Sequence, residues 1–246
     1  MQRYFIKEVV NKGQSFLINQ EDLHHLKKVM RNKNGDCILC IDPLGNNYQC
    51  HIEDIDTGKI IVNHKIINDS ELDVEVTLVY AMPKGDKFEF VLQKATELGV
   101  KRIIPLLSNR CVVKMDKDKF SKKKIRFEKI VKEASEQSYR NCIPEIMDMV
   151  TIKEISMYLG DYTLVAYEET AKQGNHGNLS KVLQQVKPKD KITVIVGSEG
   201  GFDESEIELM EIMGIQRCSL GKRILRSETA PLYMLSVIGF SREVQL

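Results

Sequence analysis

The apolar positions of this chain change rhythm once. Through residue 70 the runs are short: Arg3–Ile6, Gln14–Ile18, Cys37–Ile41, Tyr48–Ile52 and Lys59–Ile67 read as strands. Asn19 is a good N-cap for a short helix over Gln20–Met30, with Leu23, Leu26 and Met30 on one side. Asp42-Pro43-Leu44-Gly45-Asn46 reads as a turn, and short strands joined by tight turns suggest a small β-barrel. Polar Asn68-Asp69-Ser70-Glu71 marks the expected boundary, which gives one domain over 1–70 and a second over 71–246.

From Val74 the pattern becomes strand, helix, strand. Val74–Tyr80 is a strand, and Phe88, Val91, Leu92, Ala95 and Leu98 follow at helical spacing until Gly99 stops them. Arg102–Leu107 is the next strand, and a basic helix runs over Ser121–Arg140. Further strands are expected at Glu145–Met147, Thr163–Tyr167, Ile192–Val196 and Cys218–Leu220. Such alternation predicts an α/β domain, a parallel sheet covered by helices. The last helix, Ala230–Arg242, carries Leu232, Tyr233, Met234, Leu235, Val237, Ile238 and Phe240 and has almost no polar face. Either a core or a dimer interface would cover it.

One junction stands out. The β-branched run Ile192–Val196 has the composition of a strand buried on both faces, and it enters Gly197-Ser198-Glu199-Gly200-Gly201-Phe202 directly. Asp203-Glu204-Ser205-Glu206 then opens a helix with Ile207 and Met210. Open α/β sheets place ligands at such strand ends, and glycines let backbone approach a bound molecule. A tight turn with no ligand explains the loop equally well. The loop has no following Lys-Ser/Thr and lacks the G-x-G-x-x-G spacing, which argues against a phosphate-loop NTPase and a nicotinamide site.

With 42% hydrophobic and 29% charged residues, the composition is that of a soluble globular protein. Its apolar runs are too short to span a bilayer and its first residues lack a secretory pattern, so a cytoplasmic location away from membranes is expected. The six cysteines are scattered, which does not suggest disulfides. Cys37 and Cys40, with Cys50-His51 beyond, invite a zinc reading, but residues three apart in a strand face opposite ways, so no metal is expected. Net charge is +1, yet Lys114–Lys132 holds nine basic residues against three acidic ones. A basic helix is more often a solvated face than a binding surface.

Three further stretches have distinctive local sequence. They are Lys84-Gly85-Asp86-Lys87-Phe88-Glu89 through Val100, Glu133-Ala134-Ser135-Glu136-Gln137-Ser138-Tyr139-Arg140 with Pro144, and Leu220-Gly221-Lys222-Arg223-Ile224-Leu225-Arg226-Ser227-Glu228-Thr229-Ala230. Together with the 197–202 glycine loop and Glu206, and with His25, Leu26, Val29, Arg31, Gly35 and Asp36 near the start, they resemble the ribosomal small-subunit RNA uridine N3-methyltransferase family of the knotted SPOUT class. The resemblance covers nearly the whole chain. Ser198 stands where many members have proline, and Cys111 where serine is expected.

The resemblance implies a PUA-type RNA-binding barrel, then an α/β domain with a trefoil knot. It also implies a homodimer, S-adenosylmethionine as methyl donor and small-subunit ribosomal RNA as partner. Its donor site would use Tyr167, Glu168, Gly197, Ser198, Glu199, Gly200, Gly201, Leu220, Gly221, Ile224, Leu225, Arg226, Thr229 and Ala230. Spacing alone would read Leu220–Leu225 as a loop with core residues. RNA contacts are expected at Arg3, Arg31, Lys84, Lys87, Arg110 and Arg140, since Arg and Lys anchor phosphates.

Methylation of a uracil nitrogen requires loss of the N3 proton and in-line approach to the methyl. Glu199 and Glu228 are the carboxylate candidates, and Arg226 and Arg140 the cationic ones. A surface salt bridge is the alternative for either arginine. The proton acceptor is not assigned by sequence. A non-catalytic RNA-binding protein would keep the basic residues without needing the donor loops. An ordinary Rossmann methyltransferase would carry its glycines after the first strand, where Ala81-Met82-Pro83-Lys84-Gly85 is no such loop.

Overall fold

A computed structural model describes residues 1–68, 70–113, 117–167 and 178–244. The chain forms two compact units, Met1–Glu71 with Ser135–Cys142, and Leu72–Ala134 with Ile143–Leu246.

In the first unit, β1 (Arg3–Phe5), β2 (Ser15–Leu17), β3 (Cys37–Ile41), β4 (Asn47–Asp54) and β5 (Lys59–Ile66) make one sheet in the order β1-β3-β4-β5-β2. Only the β1–β3 pair is parallel. Alternation sends Ile38, Cys40, Tyr48, Cys50, Ile52, Ile60 and Val62 into one core with Tyr4, Val10 and Leu26. Exposed Cys37 and buried Cys40 lie on opposite faces of β3, as period-two geometry requires. Asn19 caps α1 (Gln20–His24) by accepting from the Asp22 N–H at 2.9 Å. The expected single helix to Met30 instead becomes a π turn over His25–Val29, where the Met30 N–H bonds the His25 carbonyl. Tyr4 hydrogen-bonds His25 Nδ1 at 2.9 Å there.

Residues 135–142 belong to this unit through a buried polar network. Arg140 donates from Nε and Nη2 to the Glu71 carboxylate at 2.9 and 2.7 Å, and the Asn141 N–H adds a 2.6 Å bond. Arg3 donates to Asn47 Oδ1 at 2.6 Å and to the Arg140 carbonyl at 3.0 Å, and its guanidinium stacks 5.0 Å from the Tyr139 ring centre. Both arginines are only 2% exposed. Burying a guanidinium requires that most of its donors be matched. The network does this through Nη2 of Arg3 and Nε and Nη2 of Arg140, while Arg3 Nε has no hydrogen-bond partner among the described residues.

The second unit is built on β6 (Glu75–Ala81), β7 (Arg102–Leu107), β8 (Glu145–Ile146), β10 (Tyr162–Ala166), β11 (Lys191–Val196) and β12 (Gln216–Cys218), with β9 (Val150–Thr151) also paired to β7. The order is β12-β10-β11-β6-β7-β8, and every pair is parallel. Its helices are α2 (Lys87–Glu97), α3 (Lys117–Gln137), α4 (Asn178–Leu183), α5 (Glu204–Ile212) and α6 (Thr229–Gly239), with a 3-10 turn at Ile152–Tyr158. Central β11 is buried on both sides. Ile192, Val194 and Val196 face one core with α2 and α6, while Ile195 faces another with α5.

Three departures from the expected elements matter. Strand β12 ends at Cys218, so Ser219 and Leu220 already belong to the following loop. Helix α4 had no counterpart in the sequence reading. Helix α6 is not buried all round: Met234, Leu235 and Ile238 pack on the unit's own core, while Tyr233 and Phe240 stay 41% and 55% exposed. The basic α3 buries Phe120, Phe127 and Val131 and turns lysines outward, with Arg126 paired to Glu89 and Lys124 to Asp148. The part of the basic run at 114–116 lies outside the described residues. No described helix is long and apolar enough to cross a membrane.

Candidate active site

The parallel sheet aligns the ends of β6, β10, β11 and β12, so the loops after them share one edge. The β11 loop is a closed turn. The Gly201 N–H bonds the Ser198 carbonyl at 2.9 Å, and Gly201 has φ +65°, a conformation that glycine adopts without strain. At Gly200 the reason for glycine is different. A Cβ there would meet Arg110 Cβ at 2.9 Å and the Arg110 carbonyl oxygen at 3.0 Å. The loop is therefore pressed against the segment after β7, and Arg110 Nη1 donates to the Gly200 carbonyl at 3.2 Å.

The helix start that follows is closed twice over. Asp203 and Glu206 form a capping box on α5, with the Glu206 N–H to Asp203 at 2.9 Å and the Asp203 N–H to Glu206 at 3.0 Å. Asn109 adds its N–H to Glu206 at 2.7 Å and its amide to Asp203 at 2.8 Å. Buried Glu206 thus serves the scaffold.

Lys87 joins the two glycine-bearing loops. Its ammonium lies 3.0 Å from Glu199, in the loop after β11, and 3.1 Å from Glu228, in the loop after β12. Glu199 also accepts from the Lys84 N–H at 3.2 Å, and Glu228 from Ser227 Oγ at 3.2 Å. Burial works to raise both carboxyl pKa values, but Lys87 and the local backbone N–H groups outweigh it and hold both below the ordinary value. Glu199 first and Glu228 second raise the Lys87 value. All three groups are ionised at neutral pH.

Other expected residues are distributed unevenly. Leu220 and Leu225 are half-buried against the main core, whereas Ile224 is 76% exposed. Gly221 has φ +105° and donates its N–H to Ser219 Oγ at 3.1 Å. Arg226 is exposed, and its carbonyl accepts from the N–H groups of Thr229 and Ala230 at the start of α6. Tyr167 hydrogen-bonds through its N–H to the Cys218 carbonyl, and its ring lies 5.5 Å from the Arg217 guanidinium. Glu168 lies outside the described residues. Arg31, Lys84 and Arg110 are exposed, as a phosphate contact needs. Arg3 and Arg140 are not: the structure commits both to the buried network of the first unit. Sequence reading missed the Lys87 bridge and the buried Tyr80 hydroxyl near it, because both depend on residues distant in the chain.

The chain matches the model of the RNA methyltransferase domain over residues 70–239 and that of the RNA methyltransferase PUA domain over 18–63. It is 39% identical to the ribosomal RNA small subunit methyltransferase E of Bacillus subtilis, across 99% of this chain and 98% of that one. The crystal structure of a ribosomal RNA small subunit methyltransferase E from Neisseria gonorrhoeae, bound to S-adenosyl methionine, superposes with TM-score 0.85 at 29% identity, over 97% of this chain and 96% of that one. A putative methyltransferase from Legionella pneumophila, in complex with the same cofactor, gives 0.83 at 29% identity over 96% of each chain. The folds match across the whole chain: a PUA-like first unit and a SPOUT-type parallel sheet.

Proposed function

We propose that this chain, which belongs to the ribosomal RNA small subunit methyltransferase E family, transfers a methyl group from S-adenosylmethionine to N3 of a uridine in small-subunit ribosomal RNA. The observation that carries the reading is the convergence of the loops after β11 and β12 at one edge of the sheet, close enough for Lys87 to reach Glu199 in one and Glu228 in the other. An isolated glycine turn would need no such convergence.

The residues suit the donor. Gly197 and Gly200 leave no room for a side chain, and the exposed backbone of the 199–200 turn can offer N–H and C=O groups to an adenine edge. Leu220 and Leu225 supply apolar wall, and Tyr167 a further surface. When bound, S-adenosylmethionine supplies a methyl activated by its sulfonium. The ionised pair Glu199 and Glu228 favours a cationic ligand nearby, and Arg226 remains exposed to hold a phosphate. Arg31, Lys84 and Arg110 present further cations to the RNA.

Methyl-labelled S-adenosylmethionine, small-subunit RNA and the purified protein make the test. Digestion should return the label as 3-methyluridine, and label on any other nucleoside would contradict the assignment.

Assembly belongs to the same proposal. A homodimer would cover Tyr233 and Phe240, the exposed apolar side of α6 and the turn after it. Leu235 and Ile238 pack into the unit's own core, so charges there would unfold the chain. Tyr233→Glu with Phe240→Glu should give a monomer on sedimentation with the melting temperature of the unit retained. A double variant that still sediments as the parent would remove this face from the interface.

A further inference from the structure

Lys87 holds the first helical position of α2. The free N–H groups of a helix start carry partial positive charge, so a cation there opposes the dipole. The N-cap residue Asp86 makes no side-chain capping bond that would offset this. Two carboxylates from distant loops offset it instead, Glu199 at 3.0 Å and Glu228 at 3.1 Å. Breaking a local rule at a point where three segments meet is the mark of a functional position.

A second observation stands beside it. Tyr80, at the end of β6, is fully buried, and its hydroxyl has no hydrogen-bond partner of ordinary geometry among the described residues. The hydroxyl lies next to Ser227 and within electrostatic reach of Glu199 and Glu228. Its ring stacks on Phe88, with centroids 6.1 Å apart, which fixes where the hydroxyl points. Leaving such a group unmatched costs about 1–3 kcal/mol, and folded proteins seldom do so without a use for it.

We propose that Lys87, Glu199, Glu228 and Tyr80 form the group that reads the imide edge of the target base, with Lys87 setting preference for uracil over cytosine. This inference rests on the uridine assignment above. A uracil edge presents carbonyl, N3–H and carbonyl in order, that is, acceptor, donor, acceptor. An ammonium has only donors and matches a carbonyl oxygen, and an ionised carboxylate has only acceptors and matches N3–H. Cytosine would set its bare N3 lone pair against a carboxylate. The carboxylate that accepts from N3–H takes that proton, and the ammonium sits where the resulting negative charge spreads onto the carbonyl oxygens before N3 takes the methyl from the sulfonium. Tyr80 holds the carboxylate side of the group in place when the base is bound, its hydroxyl then completed by Ser227 or Glu228.

The competing reading makes Lys87 a tie between loops and nothing more. Full-length Lys87→Met, Lys87→Arg and Tyr80→Phe separate the two, with S-adenosylmethionine binding followed by calorimetry and single-turnover transfer on small-subunit RNA. Lys87→Met should bind the donor within about threefold of the parent yet lose about 100-fold or more in transfer, the size of effect expected for a charge-stabilising contact. Lys87→Arg should recover at least about tenfold of that loss, because the cation is kept. Tyr80→Phe should lose about three- to tenfold in transfer with a melting temperature unchanged or raised, since an unmatched hydroxyl has gone. Replacing the target uridine by cytidine should cost the parent about 10⁴-fold, and Lys87→Met much less. Donor binding that falls in step with transfer in Lys87→Met, or transfer equal to the parent, would overturn the proposal. If the parent itself leaves uridine unmethylated, it is the uridine assignment that fails.

Discussion

Glu71→Ala should lower the stability of the first unit by about 3–5 kcal/mol, the range found when one partner of a buried ion pair is removed. Arg140 is 2% exposed and donates from Nε and Nη2 to the Glu71 carboxylate, to which the Asn141 N–H donates as well. Without Glu71 the guanidinium would stay buried and lose the carboxylate that both Nε and Nη2 bond. Glu71→Gln keeps an acceptor but not the charge and should lose less. The same pair predicts a pH dependence. Burial alone would raise the Glu71 pKa, but the Arg140 bonds and charge, with the Asn141 N–H, reverse this and hold it below the ordinary 4.5. A depressed folded-state pKa stabilises fully above the unfolded value and is lost as pH falls through the folded one. The difference between parent and Glu71→Gln should therefore shrink below pH 4.5. Denaturant melts of the two proteins at neutral and acid pH measure it, and a difference that does not change with pH would show the charge to be irrelevant.

Gly200→Ala should weaken binding of S-adenosylmethionine at least tenfold, about 1.4 kcal/mol. The physical reason lies less in the ligand than in the loop's own neighbour. The new Cβ would be 3.0 Å from the Arg110 carbonyl oxygen, a backbone atom that cannot rotate away. The turn must then lift off the segment after β7, and with it the Ser198–Gly201 bridge and the position of Glu199. Overpacking of this kind typically costs 1–3 kcal/mol of stability as well, so binding is compared on protein shown to be folded. Calorimetric titration reads the affinity. An unchanged affinity would mean that the turn does not contact the donor.

Much of the scaffold was legible because its signals are local. The β-branched run of β11, the glycines after it and the helix opening at Asp203–Glu206 all declare themselves within fifteen or so residues, and strand, turn and helix start lie where they were expected. The short strands β3, β4 and β5 were legible for the same reason. What failed to show depends on partners far along the chain. Arg3 and Arg140 look like phosphate anchors as residue types, yet Glu71, Asn47 and Asn141 bury them. Lys87 looks like one more exposed lysine until Glu199 and Glu228 are brought to it. The all-apolar α6 could not reveal which of its sides meets the core, and Ile224 reads as a wall residue although it stands largely in solvent. Hydrophobic pattern gives the elements, whereas charge pairing is decided by topology.

The central claim, that this chain modifies small-subunit ribosomal RNA at uridine N3, is tested most directly in cells. Small-subunit RNA from a strain lacking the protein, and from that strain complemented by the parent or by Gly200→Ala, would be digested and its modified nucleosides mapped by mass. One 3-methyluridine should be absent without the protein, return with the parent and return weakly or not at all with Gly200→Ala. Identical maps with and without the protein, or loss of a modification on any other base or atom, would contradict the account.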